Sequence, residues 1–418
     1  MDIDAPGRLL LECLARRPGE GPAAALDGLP PAAWQALVRS AVRHDVAPLL
    51  HHRLAAAAPR APVPPRLVRA LREAYLRTAA RNMLLRQALS KVLAALRRDA
   101  IPVIVLKGAH LMEVVYDTIA LRPMSDIDVL VRRSDVRQAE ADLAALGYIL
   151  ATPSPARRRH YEESHFHLPY WGPGGVVIEV HWDLAEPAGP VRVDLDGLWE
   201  RASPVTLADV ETLALSPEDL ILHLCFHAAY QHRFEMGLRP LCDIAETVRR
   251  FEEDLDWRRL ERTATAWGVA RWAYCGLHLA GVMLGARIPE STLDRLKPDD
   301  LGPQSVAVIR DYLLGPVPAV HVPVALQWAM RREGIRGRAA ALLRGILPTP
   351  EELRRIYDLP PGSPRVYPYY LLRPFDLVRR AGADVLRLAL RTKAGRRSLA
   401  RERATVAVER LLAPRTDT

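Results

Sequence analysis

The sequence of 418 residues predicts an α+β fold in which helices, the majority of the structure, surround one small sheet. Short runs of β-branched and apolar residues, which favour strands, are concentrated between residues 99 and 215. On both sides of that segment, apolar residues recur at the spacing of three and four that indicates helices. The chain is also longer than a usual domain of about 100–200 residues. We therefore expect a helical section at 1–98, a sheet-bearing core at 99–215, a helical domain at 216–310 and a helical extension at 311–418.

The section at 1–98 is predicted to contain a long amphipathic helix, on which Leu71, Tyr75, Leu76 and Ala79 share a face. A proline-rich connector, AAAAPRAPVPPRL at 55–67, comes before it, because its four prolines do not fit a continuous helix.

The core is predicted to alternate strands and helices. The first strand is IPVIVL, and the second lies in MSDIDVLVRR, where carboxylates alternate with aliphatic side chains. A Ser cap at Ser216 with Pro217 after it indicates where the next helix begins. The remaining predicted elements are helices over 109–117 and 136–146, a strand over 148–151, an Arg- and Pro-rich loop, and a hairpin of FHLPYW and VVIEVHWDL around the turn 172–175.

Charge and cysteine content bound the class of protein. There are 58 Lys and Arg against 49 Asp and Glu, a net charge of +9, which permits anionic partners without identifying one. The four scattered cysteines fit reduced thiols, and the amino terminus has no signal-peptide pattern. The apolar stretch 267–286 carries Arg271 and His278 and fits a buried helix better than a membrane span. We expect a soluble cytoplasmic protein without a transmembrane segment.

Asp126 and Asp128 are the first candidates for chemistry. Side chains two apart on a strand point to one face, so these carboxylates lie side by side while Ile127 and Val129 anchor the opposite face in a core. Two adjacent carboxylates repel each other unless a cation neutralises them, and hard oxygen ligands suit Mg²⁺. The alternative is an exposed strand end whose acids face water or cap the next helix.

A third carboxylate lies on a later strand. In VVIEVHWDL, alternation places Glu179, His181 and Asp183 on one face. If this strand lies beside the first, Glu179 can join Asp126 and Asp128 around a pair of metal ions, an arrangement used for displacement at phosphorus. The alternatives are a solvent-facing Glu179 and a packing role for His181.

Lys107 and Gly108 stand where a strand ends and a helix begins. Backbone amides, the lysine charge and the absence of a side chain at Gly108 would suit a phosphate there. Arg122 is a second candidate for phosphate contact, with the alternative that it pairs with a local acid.

The segments LKGAHLMEVVYDTIALRPMSDIDVLV and VIEVHWDL, with a helix ending in Gly-Tyr between them, resemble the nucleotidyltransferase superfamily typified by DNA polymerase beta. The closer resemblance is to the bacterial uncharacterised nucleotidyltransferase family, and it extends to LSPEDLILHLCFHAAYQH and RPLCDIAE. It implies a small mixed sheet as the nucleotidyltransferase core. It also implies two Mg²⁺ ions on Asp126 and Asp128, with Glu179 completing one metal site and Lys107-Gly108 at the phosphate-binding turn. Most superfamily members have Gly-Ser at that turn, whereas here Ala109 follows Gly108.

The expected activity is Mg²⁺-dependent transfer of a nucleoside monophosphate from an NTP to an acceptor hydroxyl, with release of pyrophosphate. Among the NTPs, ATP is the expected substrate. Two alternatives stay open: kinase-like phosphotransfer at the same metal site, and a non-catalytic nucleotide- or RNA-binding module.

Further along the chain, polar residues offer supporting roles. His223 and His227 lie four apart on one predicted helix face, with His232 beyond them, and Asp243 follows in the next helix. We expect them to support the nucleotide or acceptor pocket; the alternatives are a zinc or iron site and simple packing. Two Arg-rich helices, RREGIRGRAAALLRG and RTKAGRRSLARERATVAVERLL, could follow nucleic acid, but the second lacks aromatics for base stacking. Nucleic-acid binding is therefore not favoured.

Overall fold

The computed structural model describes residues 5–15, 26, 28–57, 63–151, 155–315, 322–332, 334–357, 359–360, 362–390 and 392–413. These residues form two compact units, one within residues 5–306 and one within residues 307–413. The predicted boundaries at 98, 215 and 310 stay predictions.

The first unit holds a seven-stranded mixed sheet, in the order β3-β4-β5-β2-β1-β7-β6. Pairs β2–β5 and β1–β7 are parallel, and the other neighbours are antiparallel. The strands are β1 (Ile104–Val105), β2 (Ile127–Leu130), β3 (Ile149–Leu150), β4 (His167–Trp171), β5 (Val177–His181), β6 (Ser203–Leu207) and β7 (Val210–Ala214). The predicted α+β fold, with a majority of helix around a small mixed sheet, is confirmed.

Helices precede, connect and follow these strands. Two of them end in π-helical turns, at Leu111–Val115 and at His227–Gln231. The helices that begin in the first unit are Ala5–Ala15, Pro31–Arg43, Ala47–Ala57, Pro65–Arg98, Lys107–His110, Val136–Ala145, Pro155–Ser164, Leu195–Arg201, Pro217–Phe226, Arg239–Arg250, Trp257–Ala266, Ala270–Leu284, Glu290–Leu296 and Pro303–Leu314.

Several predicted elements match closely, and two segments differ. Ser216 accepts a hydrogen bond from the amide of Asp219 ahead of the helix at Pro217, as its cap was predicted to do. The predicted Arg- and Pro-rich loop is wrong, because Pro155–Ser164 is helical, with proline at a first position that needs no amide hydrogen. Of the connector at 55–67, residues 58–62 lie outside the described residues, and the long helix begins at Pro65.

The hairpin of β6 and β7 was not predicted. Its two-residue turn is Ala208-Asp209, and both residues have positive φ, 47° and 65°. Such turns are usually signalled by Asn-Gly or Asp-Gly. Here the turn is held instead by Arg86, which donates to both carboxylate oxygens of Asp209, and by Glu113, which accepts from the Ala208 amide.

One face of the sheet lies in a hydrophobic core. Ile127 and Val129 of β2 and Ile178 and Val180 of β5 are fully buried there. The long helix Pro65–Arg98 packs on this face through a stripe of aliphatic residues: Leu85, Leu89, Val92, Leu93 and Leu96. Because side chains alternate along a strand, burying this set turns Asp128 and Glu179 to the other face.

The long helix also fixes the segment that leads into β2. The Asn82 side chain is fully buried and donates to the carbonyl oxygens of Ile119 and Arg122, at 2.5 and 2.8 Å. Arg81 donates to the carbonyl oxygens of Ser125 and Gly175, at 3.0 Å each. These bonds satisfy backbone groups that no strand partner reaches, so the entry to β2 has a defined path.

The second unit is helical. Arg331 links two of its helices by ion pairs with the last helix, from Nη1 to Glu402 Oε1 and from Nε to Glu409 Oε2, each at 2.8 Å. Its helices are Val324–Met330, Gly334–Ile346, Pro350–Ile356, Tyr367–Ala389 and Lys393–Leu412. Among the residues that the structure describes, no helix combines the length and apolar character that crossing a bilayer requires.

A buried ion pair joins the segment before β2 to the helix Arg239–Arg250. Arg122 donates through Nε and Nη2 to the two carboxylate oxygens of Asp243, both at 2.9 Å. The Tyr116 hydroxyl donates to the same carboxylate at 2.9 Å. Burial raises the pKa of Tyr116 well above its usual value, with the Asp243 charge adding to the effect, so the phenol stays protonated as a donor.

Replacing Asp243 by Asn should therefore destabilise the protein. The guanidinium of Arg122 would remain buried without a counter-charge, which costs about 3–5 kcal/mol. The measurement is the free energy of unfolding in denaturant. A matched control is Glu211→Gln, which breaks the exposed pair with Arg97 and should cost about 1 kcal/mol or less. Equal losses in the two variants would contradict the buried pair's role.

Burial of His110 makes stability depend on pH. This side chain, on the short helix after β1, is almost fully buried, and burial lowers its pKa from 6.5 to about 4. Between these values the unfolded chain binds the proton and the folded chain does not, so stability falls as pH is lowered through the interval.

For this group alone, the free energy of unfolding should fall by about 2 kcal/mol between about pH 7.5 and pH 5. Carboxylates and other histidines contribute their own pH dependence, which is common to the wild type and to His110→Leu. The difference between their urea-denaturation curves at the two pH values isolates His110. If the variant loses as much stability on acidification as the wild type, His110 does not titrate as described.

Candidate functional site

Three carboxylates meet at the centre of the sheet. Asp128 on β2 and Glu179 on β5 are direct partners in the parallel pair, and Asp126 comes immediately before β2. Burial raises the pKa of Asp126, and the charges of Asp128 and Glu179 raise it further. The neighbouring positive groups therefore do not fully neutralise the negative charge around Asp126. The atoms available as metal ligands are carboxylate oxygens. This donor set fits a hard divalent cation such as Mg²⁺.

Asp128 is buried, whereas the sequence had placed it at an exposed strand end. Its Oδ1 accepts from Lys107 Nζ at 2.8 Å and lies 2.9 Å from His181 Nε2, which is itself only 1% exposed. Burial opposes ionisation of Asp128, but Lys107 and His181 outweigh it and hold its pKa well below the usual range. Asp128 therefore stays ionised inside the protein.

Lys107 has a strained backbone. Its φ is +40°, in the left-handed region that non-glycine residues avoid, at the point where β1 gives way to the helix Lys107–His110. Such strain persists only where surrounding contacts enforce it, and it is concentrated at functional sites. Here the strained residue is the one whose ammonium group donates to Asp128.

Gly108 makes room for Arg122. A Cβ at this position would lie 2.7 Å from Arg122 Nη1, a distance that real Cβ atoms do not adopt. The two predicted phosphate-binding residues are therefore adjacent. Two of the guanidinium nitrogens of Arg122 are bonded to Asp243. Arg122 therefore does pair with an acid, but this acid lies 121 residues away in the chain and is not the local one that the alternative assumed. Phosphate contact by Lys107, Gly108 and Arg122 stays a prediction.

His167 belongs to the site and was missed by the sequence analysis. It lies on β4 opposite His181 of β5, and the two rings stack with centroids 4.8 Å apart. Its Nε2 is 3.7 Å from Glu179 Oε2, while His181 Nε2 is 3.5 Å from the same oxygen. Burial, followed by the proximity of His181, lowers the pKa of His167 to about 4. A hairpin centred on Gly174 pairs residue 167 with residue 181, so the predicted turn held the signal for this residue.

His223 and His227 lie close to this face of the sheet. Burial lowers the pKa of both, and the charge of Lys107 lowers it further, so both stay neutral. The predicted pair four apart has ring centroids 6.1 Å apart. The closer pair is His227 and His232, whose Nε2 atoms are 3.2 Å apart because the π-helical turn brings residues five apart into line. Supporting roles for His223 and His227 stay predictions.

The arrangement brings Asp126, Asp128, Glu179, His181 and Lys107 together, with His223 and His227 near them. Asp243 is bonded to Arg122 and makes its contribution through that residue. Chemically, such a site can hold divalent cations on oxygen ligands and present a positive group, Lys107, to an anion.

A family model described as "Uncharacterised nucleotidyltransferase" matches residues 30–285, more than half of the chain. No curated protein matches the sequence.

Solved structures with partial similarity include ANT(2")-Ia in complex with adenylyl-2"-tobramycin, at 14% identity over 44% of this chain and 97% of that one, with a TM-score of 0.32. The solution structure of the antibiotic-resistance factor ANT(2'')-Ia has 14% identity over 47% of this chain and 97% of that one, with a TM-score of 0.33. An antigenic nucleotidyltransferase-like protein from Paracoccidioides brasiliensis has 14% identity over 50% of this chain and 95% of that one, with a TM-score of 0.31. On the strength of the family match, this chain belongs to the uncharacterised nucleotidyltransferase family.

Proposed function

We propose that this protein is a Mg²⁺-dependent enzyme that transfers a nucleoside monophosphate from an NTP to an acceptor hydroxyl. The observation that carries the proposal is the direct parallel pairing of Asp128 with Glu179, beside an Asp126 whose ionisation the other two carboxylates oppose. Membership of a nucleotidyltransferase family supports a transferase. The proposal adds the metal, the bond that is broken and the residues responsible.

In the proposed reaction, the acceptor oxygen loses its proton and forms a bond to the α-phosphorus. The bond from that phosphorus to the bridging oxygen of the β-phosphate breaks, and pyrophosphate leaves with the electron pair. Divalent metal, when bound, supplies neutralisation of the charge on the phosphates and on the entering and leaving oxygens. Asp126, Asp128 and Glu179 are the residues that would hold it.

The other residues of the site would position the triphosphate. The ammonium of Lys107 donates a hydrogen bond to Asp128. A phosphate bound next to this carboxylate would therefore lie close to the positive charge of Lys107. Arg122 is held by Asp243 and lies against Gly108, and it would add positive potential from a fixed position. Because these groups are set by buried contacts, they need little rearrangement during the reaction, which is what electrostatic catalysis requires.

Product analysis separates this reaction from the two alternatives. The protein is incubated with Mg²⁺ and with ATP labelled at either the α- or the γ-phosphate. A protein-free cell extract of small molecules serves as the source of acceptors. Nucleotidyl transfer moves the α-label to the acceptor and releases pyrophosphate. Kinase-like transfer moves the γ-label and leaves ADP. Mg²⁺-dependent ATP binding with neither product would indicate a binding module instead.

Asp126→Asn should strongly lower the rate of this reaction without harming the fold. Loss of one charge-stabilising group lowers the rate by about 10²–10³-fold. Burial and like charge disfavour the ionised form of Asp126 in the folded protein, so the neutral asparagine should leave the free energy of unfolding unchanged or higher. Rates of pyrophosphate release and denaturation curves measure the two effects.

The matched control is Asp196→Asn, which makes the same change at a side chain that is 93% exposed. It should keep full activity. An active Asp126→Asn variant would show that the three carboxylates do not form the catalytic site.

A further inference from the structure

A pair of histidines gives one side of the carboxylate cluster a different chemistry from the other. Antiparallel pairing of β4 with β5 sets His167 directly opposite His181, and Glu179 lies two residues before His181 on the same face. The neighbouring strand β2 contributes Asp128 on that face. The four side chains thus come from three adjacent strands, which hold them in fixed relative positions.

The distances within this group fit a shared ligand. Both histidine Nε2 atoms approach the same oxygen, Glu179 Oε2, at 3.7 and 3.5 Å. These distances are longer than hydrogen bonds. The shorter distance lies within, and the longer one just beyond, the spacing of about 3–3.6 Å between donor atoms that share one first-row cation at about 2.0–2.2 Å. Each of the three side chains offers one ligand atom, and all three atoms lie within 4.8 Å of one another.

The mixture of donors selects the class of cation. Mg²⁺ takes oxygen ligands almost entirely, with water completing its octahedron. Two imidazole nitrogens and one carboxylate oxygen instead favour first-row transition metals such as Mn²⁺, Co²⁺ and Zn²⁺. His181 Nε2 lies 2.9 Å from Asp128 Oδ1, and it would exchange this hydrogen bond for the metal ion on binding; Asp128 then offers a further oxygen at the edge of the group.

We propose that His167, Glu179 and His181 form a binding site for a divalent transition-metal ion beside Asp128. The inference deepens the proposed function, and it rests on that function for the part the metal plays in catalysis. Binding itself depends only on the geometry of the three side chains. His167 is 22% exposed and Glu179 is 23% exposed, so an ion can reach the site from solvent, while the buried His181 forms its floor.

Binding of Co²⁺ to the full chain tests this proposal directly, in the absence of nucleotide. Four- or five-coordinate Co²⁺ absorbs visible light far more strongly, and at longer wavelength, than the six-coordinate hydrated ion, and titration gives its affinity. Pulsed electron paramagnetic resonance of bound Mn²⁺ then reports coupling to imidazole nitrogen. We expect the Co²⁺ absorption and the nitrogen coupling in the wild-type protein.

Three variants assign the signal. His167→Gln keeps a polar side chain of similar reach and should weaken Co²⁺ binding by at least about tenfold. His165→Gln makes the same change at a histidine whose ring centroid lies 6.5 Å from that of His167, and should leave Co²⁺ affinity unchanged. Asp126→Asn removes a carboxylate outside the histidine group and should keep the nitrogen coupling.

Equal Co²⁺ affinity in the wild type and His167→Gln, or Mn²⁺ spectra without nitrogen coupling, would overturn the proposal. The wild-type spectrum decides the matter even if His167→Gln does not fold. Nitrogen coupling without pyrophosphate release from any NTP would sustain this metal site and refute the proposed function. Pyrophosphate release with Mg²⁺ and no nitrogen coupling would sustain the function and refute this site.

Discussion

The buried charge of Asp128 is the constraint around which the site is organised. A carboxylate at the centre of a sheet is stable only where partners compensate for its lost hydration. Lys107 and His181 supply that compensation, from the end of β1 and from the strand next to β2. Lys107 reaches this oxygen from a backbone with positive φ, and His181 reaches it from a strand that pairs with β2 in parallel register.

A second buried charge ties the helical part of the first unit to this centre. Arg122 lies against Gly108, next to Lys107, and its counter-ion Asp243 stands on the helix Arg239–Arg250. Tyr116 and Asn82 fix the ends of the same segment through buried hydrogen bonds. The helices therefore do more than cover the sheet, because a shift of Asp243 would change the electrostatic field beside Lys107. The neutral side chains of buried His223 and half-buried His227 add polar groups without adding charge.

The features predicted from sequence are those that local periodicity determines. Alternation along a strand places Asp126 with Asp128, and Glu179 with His181, without knowledge of the partner strand. What periodicity does not contain is register and long-range pairing: Asp128 opposite Glu179, and Arg122 with an acid 121 residues away. His167 is an intermediate case, since the turn at Gly174 is local and sets its partner. The β6–β7 hairpin was not predicted because Ala208 and Asp209 form a turn that is normally made by glycine and asparagine.

The two proposals together imply that cations bound at this sheet face would not be equivalent. On the Asp126 side the candidate ligands are carboxylate oxygens. Burial, followed by the charges of Asp128 and Glu179, raises the pKa of Asp126, and a hard cation shared with phosphate oxygens would relieve the repulsion. On the His167 side two nitrogens flank Glu179, which favours a transition-metal cation held mainly by protein ligands. Asp128 lies between the two and is already bonded to Lys107. Any cation that engages Asp128 must compete with that ammonium, so metal binding and the release of Lys107 toward an incoming phosphate would be coupled.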